Sequence, residues 1–229
     1  MQLYIGNKNY SSWSLRPWLL MTHGGIAFEE IKLRLSFEDG SPFKRALAAV
    51  SPAGTVPVLV DEGFAVWDTL AIAEYLAEKF PGKALWPADP RQRARARSLC
   101  AEMHAGFGAL RNQFPMNIEA SLPEIGAAKL AADAAVARDV ARVSAMWSVQ
   151  LGASGGPFLF GAFGIADAYF APVCSRFKTY AVPLPGVVAA YVGRVLALPA
   201  MQQWVRDAVA ENDFLVEDEP YRQAPVAGA

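Results

Sequence analysis

Residues 1–81 switch repeatedly between two hydrophobic periods. Leu3-Tyr4-Ile5 is a short apolar run and reads as a strand. Trp18-Leu19-Leu20-Met21 continues a helix that His23-Gly24-Gly25 stops. Phe28–Leu35 alternates apolar and polar positions, as a half-buried strand does. A loop over Ser36–Pro42 leads to a short helix at Phe43–Val50. Val56–Val60 and Phe64–Val66 read as strands, with Asp61-Glu62-Gly63 between them as a hairpin signal. Trp67–Phe80 is an amphipathic helix that Asp68 or Thr69 can cap, with Leu70, Ile72 or Ala73, Leu76 and Phe80 on one face. The order β-α-β-α-β-β-α predicts a small α/β unit with a mixed sheet.

After this unit the period becomes helical. Residues 82–90, inside the proline-rich stretch Pro81–Pro90, read as a linker. Residues 91–229 read as an all-helical domain. Arg91 to about Phe114 predicts one long helix that Pro115 ends or bends, and Ala-rich Pro123–Leu151 predicts a second. Gly152–Gly156 is a break, followed by helices over Ile165–Thr179, Val187–Leu196 and Pro199–Glu211. The tail from Asp213 is poorly patterned. Gly164-Ile165-Ala166-Asp167 places an aspartate at N3 of an apolar helix, where its carboxylate can accept the N-cap N–H. Its apolar flanks make it structural rather than catalytic. Arg91, Arg93, Arg95 and Arg97 read as a solvated or interface face.

Three hydroxyls, Ser11, Ser12 and Ser14, stand where the first strand turns into the first helix. Pro17 lacks an N–H, and only the first four N–H groups of a helix go unbonded. A start near Trp13 or Ser14 follows, with Ser14 as N-cap. Ser11 and Ser12 then precede the positive end of the helix dipole, a place that favours an anion. Taken alone, the three serines also read as plain caps and turn formers.

The 229 residues carry a net charge of -1, which argues against nucleic acid as the main partner. The longest apolar runs fall far short of the roughly 20 residues that span a bilayer. Lys8 and Arg16 interrupt the N-terminus, which has no signal-peptide pattern; the expected setting is soluble and cytoplasmic. Cys100 and Cys174 fit no redox or metal spacing, and two isolated histidines make no metal site.

Three motifs then come into line: Ser11-Ser12-Trp13-Ser14-Leu15-Arg16, Thr55-Val56-Pro57-Val58-Leu59 and Trp67-Asp68-Thr69-Leu70-Ala71-Ile72-Ala73-Glu74-Tyr75-Leu76. With the helical second half, they resemble the cytosolic glutathione transferases over essentially the whole chain. The nearest class is zeta, the maleylacetoacetate isomerase-like class. Its Ser-Ser-Cys-Ser-x-Arg motif falls on Ser11–Arg16, and its linker is similar to Leu85-Trp86-Pro87-Ala88-Asp89-Pro90-Arg91-Gln92-Arg93-Ala94.

The resemblance implies a thioredoxin-like N-terminal domain, an all-α C-terminal domain and a homodimer. It implies glutathione as co-substrate, bound by Ser11, Ser12, Val56, a cis Pro57, Asp68 and Thr69. The zeta catalytic serine falls on Ser11, with Ser12 in reserve and Tyr4 and Tyr10 as available phenols. A hydroxyl donating to the sulfur at a helix N-terminus lowers a thiol pKa near 8.5. One charge-assisted hydrogen bond is worth about 1.5–3 kcal/mol, enough for one to two pH units. The second substrate would sit between the domains, against Trp13, Arg16, His104, Phe107, Arg111, Phe114 and Met116. Arg16 and Arg111 are candidate carboxylate ligands; a salt bridge for Arg16 and a satisfied helix histidine for His104 are the plainer readings. Trp13 replaces the zeta cysteine, which leaves transferase chemistry possible but reshapes the mouth of the site. The functions implied are conjugation of glutathione to a small electrophile, cis-trans isomerisation of the maleylacetoacetate type, or a non-catalytic binding protein on the same fold.

Overall fold

The computed structural model describes residues 1–222. Residues 223–229, the end of the poorly patterned tail, lie outside the described residues. Strands β1 (Gln2–Ile5), β2 (Glu29–Lys32), β3 (Val58–Asp61) and β4 (Phe64–Trp67) form one sheet in the order β2-β1-β3-β4. β1 runs parallel to β2 and antiparallel to β3, and β3 and β4 form the hairpin. The sheet is therefore mixed, as the element order predicts. β2 is shorter than the alternation over Phe28–Leu35 suggests. Its partner β1 ends at Ile5, opposite Lys32, so the following residues have no strand to pair with.

Helices α1 (Ser12–His23), α2 (Pro42–Ala48) and α3 (Thr69–Lys79) accompany the sheet. Leu3 and Ile5 of β1, Leu15 and Leu19 of α1, and Ile72 and Leu76 of α3 are fully buried together. Phe43 and Leu47 seat α2 against Val58. The helical half consists of α4 (Pro90–Ala105), α5 (Gly108–Gln113), α6 (Pro123–Ala132), α7 (Ala134–Ser154), α8 (Ile165–Thr179), α9 (Gly186–Ala197) and α10 (Pro199–Glu211). α8 is buried almost throughout, and α1, α4 and α9 pack on it. Because α1 lies on α8, the sheet half and the helical half share one hydrophobic core.

Three helix boundaries depart from expectation. α1 begins at Ser12 and is capped by Ser11, whose Oγ accepts the Ser14 N–H at 3.4 Å. Pro17 sits inside the helix. Ser14 is not the cap; its Oγ accepts the Gly6 N–H at 3.1 Å and ties the helix to the preceding loop. The long helix expected to end near Phe114 breaks at Gly106-Phe107. Phe107 has φ 57° and is buried, and a Cβ on Gly106 would lie 2.8 Å from the Glu102 carbonyl oxygen. The Asp139 carboxylate accepts the Leu110 N–H at 3.0 Å, serving the new helix start. The second long helix divides at Asp133, whose carboxylate accepts the N–H groups of Ala135 and Val136. High alanine propensity does not outweigh an aspartate placed to cap.

Asp167 takes the structural role its position predicts. Its carboxylate accepts from Gly164 N–H at 3.0 Å, Leu159 N–H at 3.1 Å and the Tyr191 hydroxyl at 3.0 Å. Burial pushes its pKa up to about 6.

Candidate active site

The loop joining β1 to α1 carries unusual polarity for a buried segment. Asn7, Lys8 and Asn9 are all buried. Lys8 Nζ pairs with Glu30 at 2.8 Å and Asp207 at 2.7 Å, and lies over the rings of Trp18 and Trp204. Its N–H donates to Glu211, and its carbonyl accepts from Trp204 Nε1 at 3.0 Å. Asn9 Oδ1 accepts the N–H groups of Ile118 at 2.7 Å and Glu119 at 3.0 Å. The Tyr10 hydroxyl donates to Glu219. The loop is thus held by Glu30, by the segment at Ile118-Glu119 and by residues 204–219 near the end of the described chain. Burial and the Glu219 contact push the Tyr10 phenol up to about 12, and the hydrogen bond to Glu219 already occupies its proton. Tyr4 is on β1, packed with the Phe43–Val58 cluster beneath α2.

Ser11 follows this loop at the N-terminus of α1. It is buried, and its Oγ lies 2.7 Å from Ser14 Oγ. Hydroxyl protons rotate, so Ser14 can donate to Ser11 and leave the Ser11 proton for a ligand. Ser12 is half-buried and accepts from Arg176 Nη2 at 3.4 Å. Arg176 also donates through Nε to the Phe114 carbonyl at 2.8 Å. Burial, then repulsion from Arg16 and Arg111, lowers its pKa to about 9.

Arg16 is 3% exposed. Its guanidinium lies between the rings of Trp13, at 4.1 Å, and Tyr169, at 4.5 Å. Nη1 donates to Thr69 Oγ1 at 3.4 Å, and Thr69 Oγ1 lies 2.7 Å from the Tyr169 hydroxyl. Nε is buried with no partner among the described residues. Burial lowers the Arg16 pKa to about 10, which leaves it charged at neutral pH. The salt-bridge reading of Arg16 is therefore overturned: the guanidinium meets aromatic faces and a hydroxyl. Arg111 lies 5.8 Å from the Trp13 ring and donates to the His104 carbonyl at 3.2 Å, at the C-terminus of α4. His104 stands edge-on to Trp13 at 5.1 Å, with Nε2 3.4 Å from Asp68 and Nδ1 buried without a partner among the described residues.

Asp68 caps α3, accepting the Leu70 N–H at 2.8 Å, and holds φ 71°, a positive value uncommon outside glycine and most tolerated by residues such as aspartate. The Val56–Pro57 peptide is cis, just before β3. Among the described residues the Val56 N–H and C=O have no hydrogen-bond partner. Arg16, Trp13, His104, Arg111, Asp68 and Thr69 are thus brought together, with Ser11 and Ser12 on the same helix start. Phe107, Phe114 and Met116 go into the core instead; Phe114 stacks on Tyr180 at 4.4 Å.

Two groups escaped the sequence reading, Arg176 and Tyr169. Both lie in α8, read only as an apolar helix. An arginine in such a run was the available signal, since buried arginines are rare without a partner. Among the described residues no cluster of three or more His, Cys, Asp or Glu is placed to hold a metal ion, and no helix is long and apolar enough to cross a membrane.

Residues 10–79 match the model of the glutathione S-transferase N-terminal domain, and residues 92–207 that of the C-terminal domain. A maleylacetoacetate isomerase from Pseudomonas aeruginosa is 34% identical over 119 residues, 52% of this chain and 55% of that protein. One from Rattus norvegicus is 32% identical over 110 residues, 48% of this chain and 50% of that protein. The chain spans about half the length of the curated relatives it matches. Among solved structures, a Burkholderia glutathione transferase homolog with bound glutathione superposes with a TM-score of 0.69 and 26% identity, over 91% of this chain and 98% of that one. A zeta-class bacterial maleyl pyruvate isomerase superposes with a TM-score of 0.67 over 91% of this chain and 98% of that one, at 23% identity, a likeness of fold.

Proposed function

The chain belongs to the glutathione S-transferase family, and from that premise we propose that it is a glutathione-dependent enzyme. It activates the thiol through Ser11 and presents the thiolate to a small anionic electrophile. The carrying observation is the arrangement at the start of α1. A buried serine hydroxyl sits at the helix N-terminus, Arg176 donates to the neighbouring Ser12, and the guanidinium groups of Arg16 and Arg111 lie beside the Trp13 ring. Hydroxyl donation, the helix dipole and these cations all favour a thiolate over a thiol. The cysteinyl backbone of glutathione would pair with Val56. Its γ-glutamyl end would meet the Asp68 carboxylate and the N-terminus of α3, where the Thr69 hydroxyl is already engaged by Tyr169.

An arginine-rich second site supports isomerisation over conjugation. The thiolate adds to one carbon of a cis double bond conjugated to a carbonyl, and the electron pair moves to the carbonyl oxygen as an enolate. The new single bond rotates. Collapse of the enolate expels the thiolate, giving the trans alkene and unchanged glutathione. Arg111 would hold the substrate's carboxylate, and Arg176 behind Ser12 would offset the enolate charge. With an electrophile bearing a leaving group, the same thiolate gives a stable thioether.

The test is the ultraviolet absorbance of the bound thiolate, titrated against pH in wild type and Ser11→Ala. The expected result is a bound thiol pKa at least about one unit below the free value, returning toward it in the variant. A shift that survives Ser11→Ala moves the role to Ser12 or the helix end. An unshifted thiol, or no binding, overturns the catalytic reading in favour of a binding protein. We also propose a homodimer through the edge strand β4, along which Phe64 and Trp67 are exposed. Trp67→Glu should then give a monomer by analytical ultracentrifugation; an unchanged sedimentation coefficient removes that face from consideration.

A further inference from the structure

Trp13 does more than line the mouth of the site. Its indole lies 4.1 Å from the Arg16 guanidinium, and the Tyr169 ring lies 4.5 Å away. Between two rings and the Thr69 hydroxyl, Arg16 is 3% exposed, yet Nε has no partner among the described residues and no carboxylate pairs with the group. A cation this deep, with a donor unused, is suited to an anion it cannot reach. Trp13 itself is half-buried, and Arg111 lies 5.8 Å from its ring. The indole therefore stands between a covered cation and a more accessible one.

We propose that Trp13 is a specificity-determining residue that screens Arg16 from the second-substrate site, so that the site takes an electrophile with one carboxylate in preference to one with two. With the indole in place, the accessible cation is Arg111; Arg176 is buried and donates to Phe114 and Ser12. Without it, Arg16 becomes a second, carrying an unsatisfied N–H that a second carboxylate can engage in a charge-assisted hydrogen bond. The proposal rests on the second-site reading above and adds to it the charge class admitted. It also gives the departure from a small residue at position 13 a chemical consequence.

The probes are succinate and its monomethyl ester, titrated calorimetrically into the full-length protein with and without glutathione. In wild type the ester should bind at least as tightly as the dianion. In Trp13→Ala, succinate should bind about tenfold more tightly, as one added charge-assisted hydrogen bond predicts. The ester should change by less than about threefold. Trp13→Phe, which restores a ring face over Arg16, should return succinate toward wild type. Adding Arg16→Met to Trp13→Ala should abolish the gain. A purely structural role for Trp13 moves both probes together. Equal changes, no change, or no binding of either probe by Trp13→Ala overturns the proposal. If Trp13→Ala does not fold, Trp13→Leu carries the same comparison. An unshifted thiol with the succinate gain intact defeats the thiol reading alone, and a normal thiolate without the gain defeats this one alone.

Discussion

Lys8 and Arg16 are both buried cations near the start of α1, and each lies against two aromatic rings. Lys8 faces Trp18 and Trp204, and Arg16 faces Trp13 and Tyr169. They differ in counter-charge. Lys8 has Glu30 and Asp207 within 2.8 Å, whereas Arg16 has a hydroxyl at 3.4 Å and an unpartnered Nε. The aromatic setting is the same, so the carboxylates mark the difference in purpose. A cation with its anions in place is part of the scaffold. A cation without them carries a desolvation cost that a ligand can offset.

The largest effect that separates the two is on folding. Lys8→Ala should remove a buried cation from two partly exposed carboxylates and lower stability by about 2 kcal/mol, read from urea denaturation. Next comes ligand binding at Arg111, the half-buried cation beside Trp13. Arg111→Met should weaken succinate about tenfold in titration calorimetry, and an unchanged affinity would place the anion elsewhere. The smallest effect should be at Arg16. Arg16→Met replaces an unpaired buried charge with an apolar chain and should alter stability by less than about 1 kcal/mol. Equal destabilisation by Lys8→Ala and Arg16→Met would erase the contrast.

The architecture was legible because it rests on local pattern. Short apolar runs, a hairpin signal and a helix with Leu70, Ile72, Leu76 and Phe80 in phase are enough to place a mixed sheet before a helical half. The site was legible only in part. Ser11, Asp68 and Thr69 stand at helix starts, where capping chemistry leaves a trace. Arg176 reaches Ser12 from 164 residues away, and Lys8 meets Asp207 from 199. No periodicity records such pairings. The misplaced boundaries have a related cause. The break at Phe107 depends on Gly106 lying against the preceding turn and on Asp139 from α7 serving the new start. Pro17 misled because a missing N–H was weighed without the Ser11–Ser14–Gly6 hydrogen bonds that fix the helix one turn earlier.

The loop before Ser11 is fastened by Asp207, Glu211 and Glu219, all contributed by the last part of the described chain. Sheet and helices are therefore inherited as a matched pair. A chimera that grafts residues 1–81 onto the helical half of a relative must also transplant those acids. Otherwise Lys8 arrives at a seam with Glu30 but without the helical half's anions to receive it, and the serine it helps to place is handed over without its full mounting.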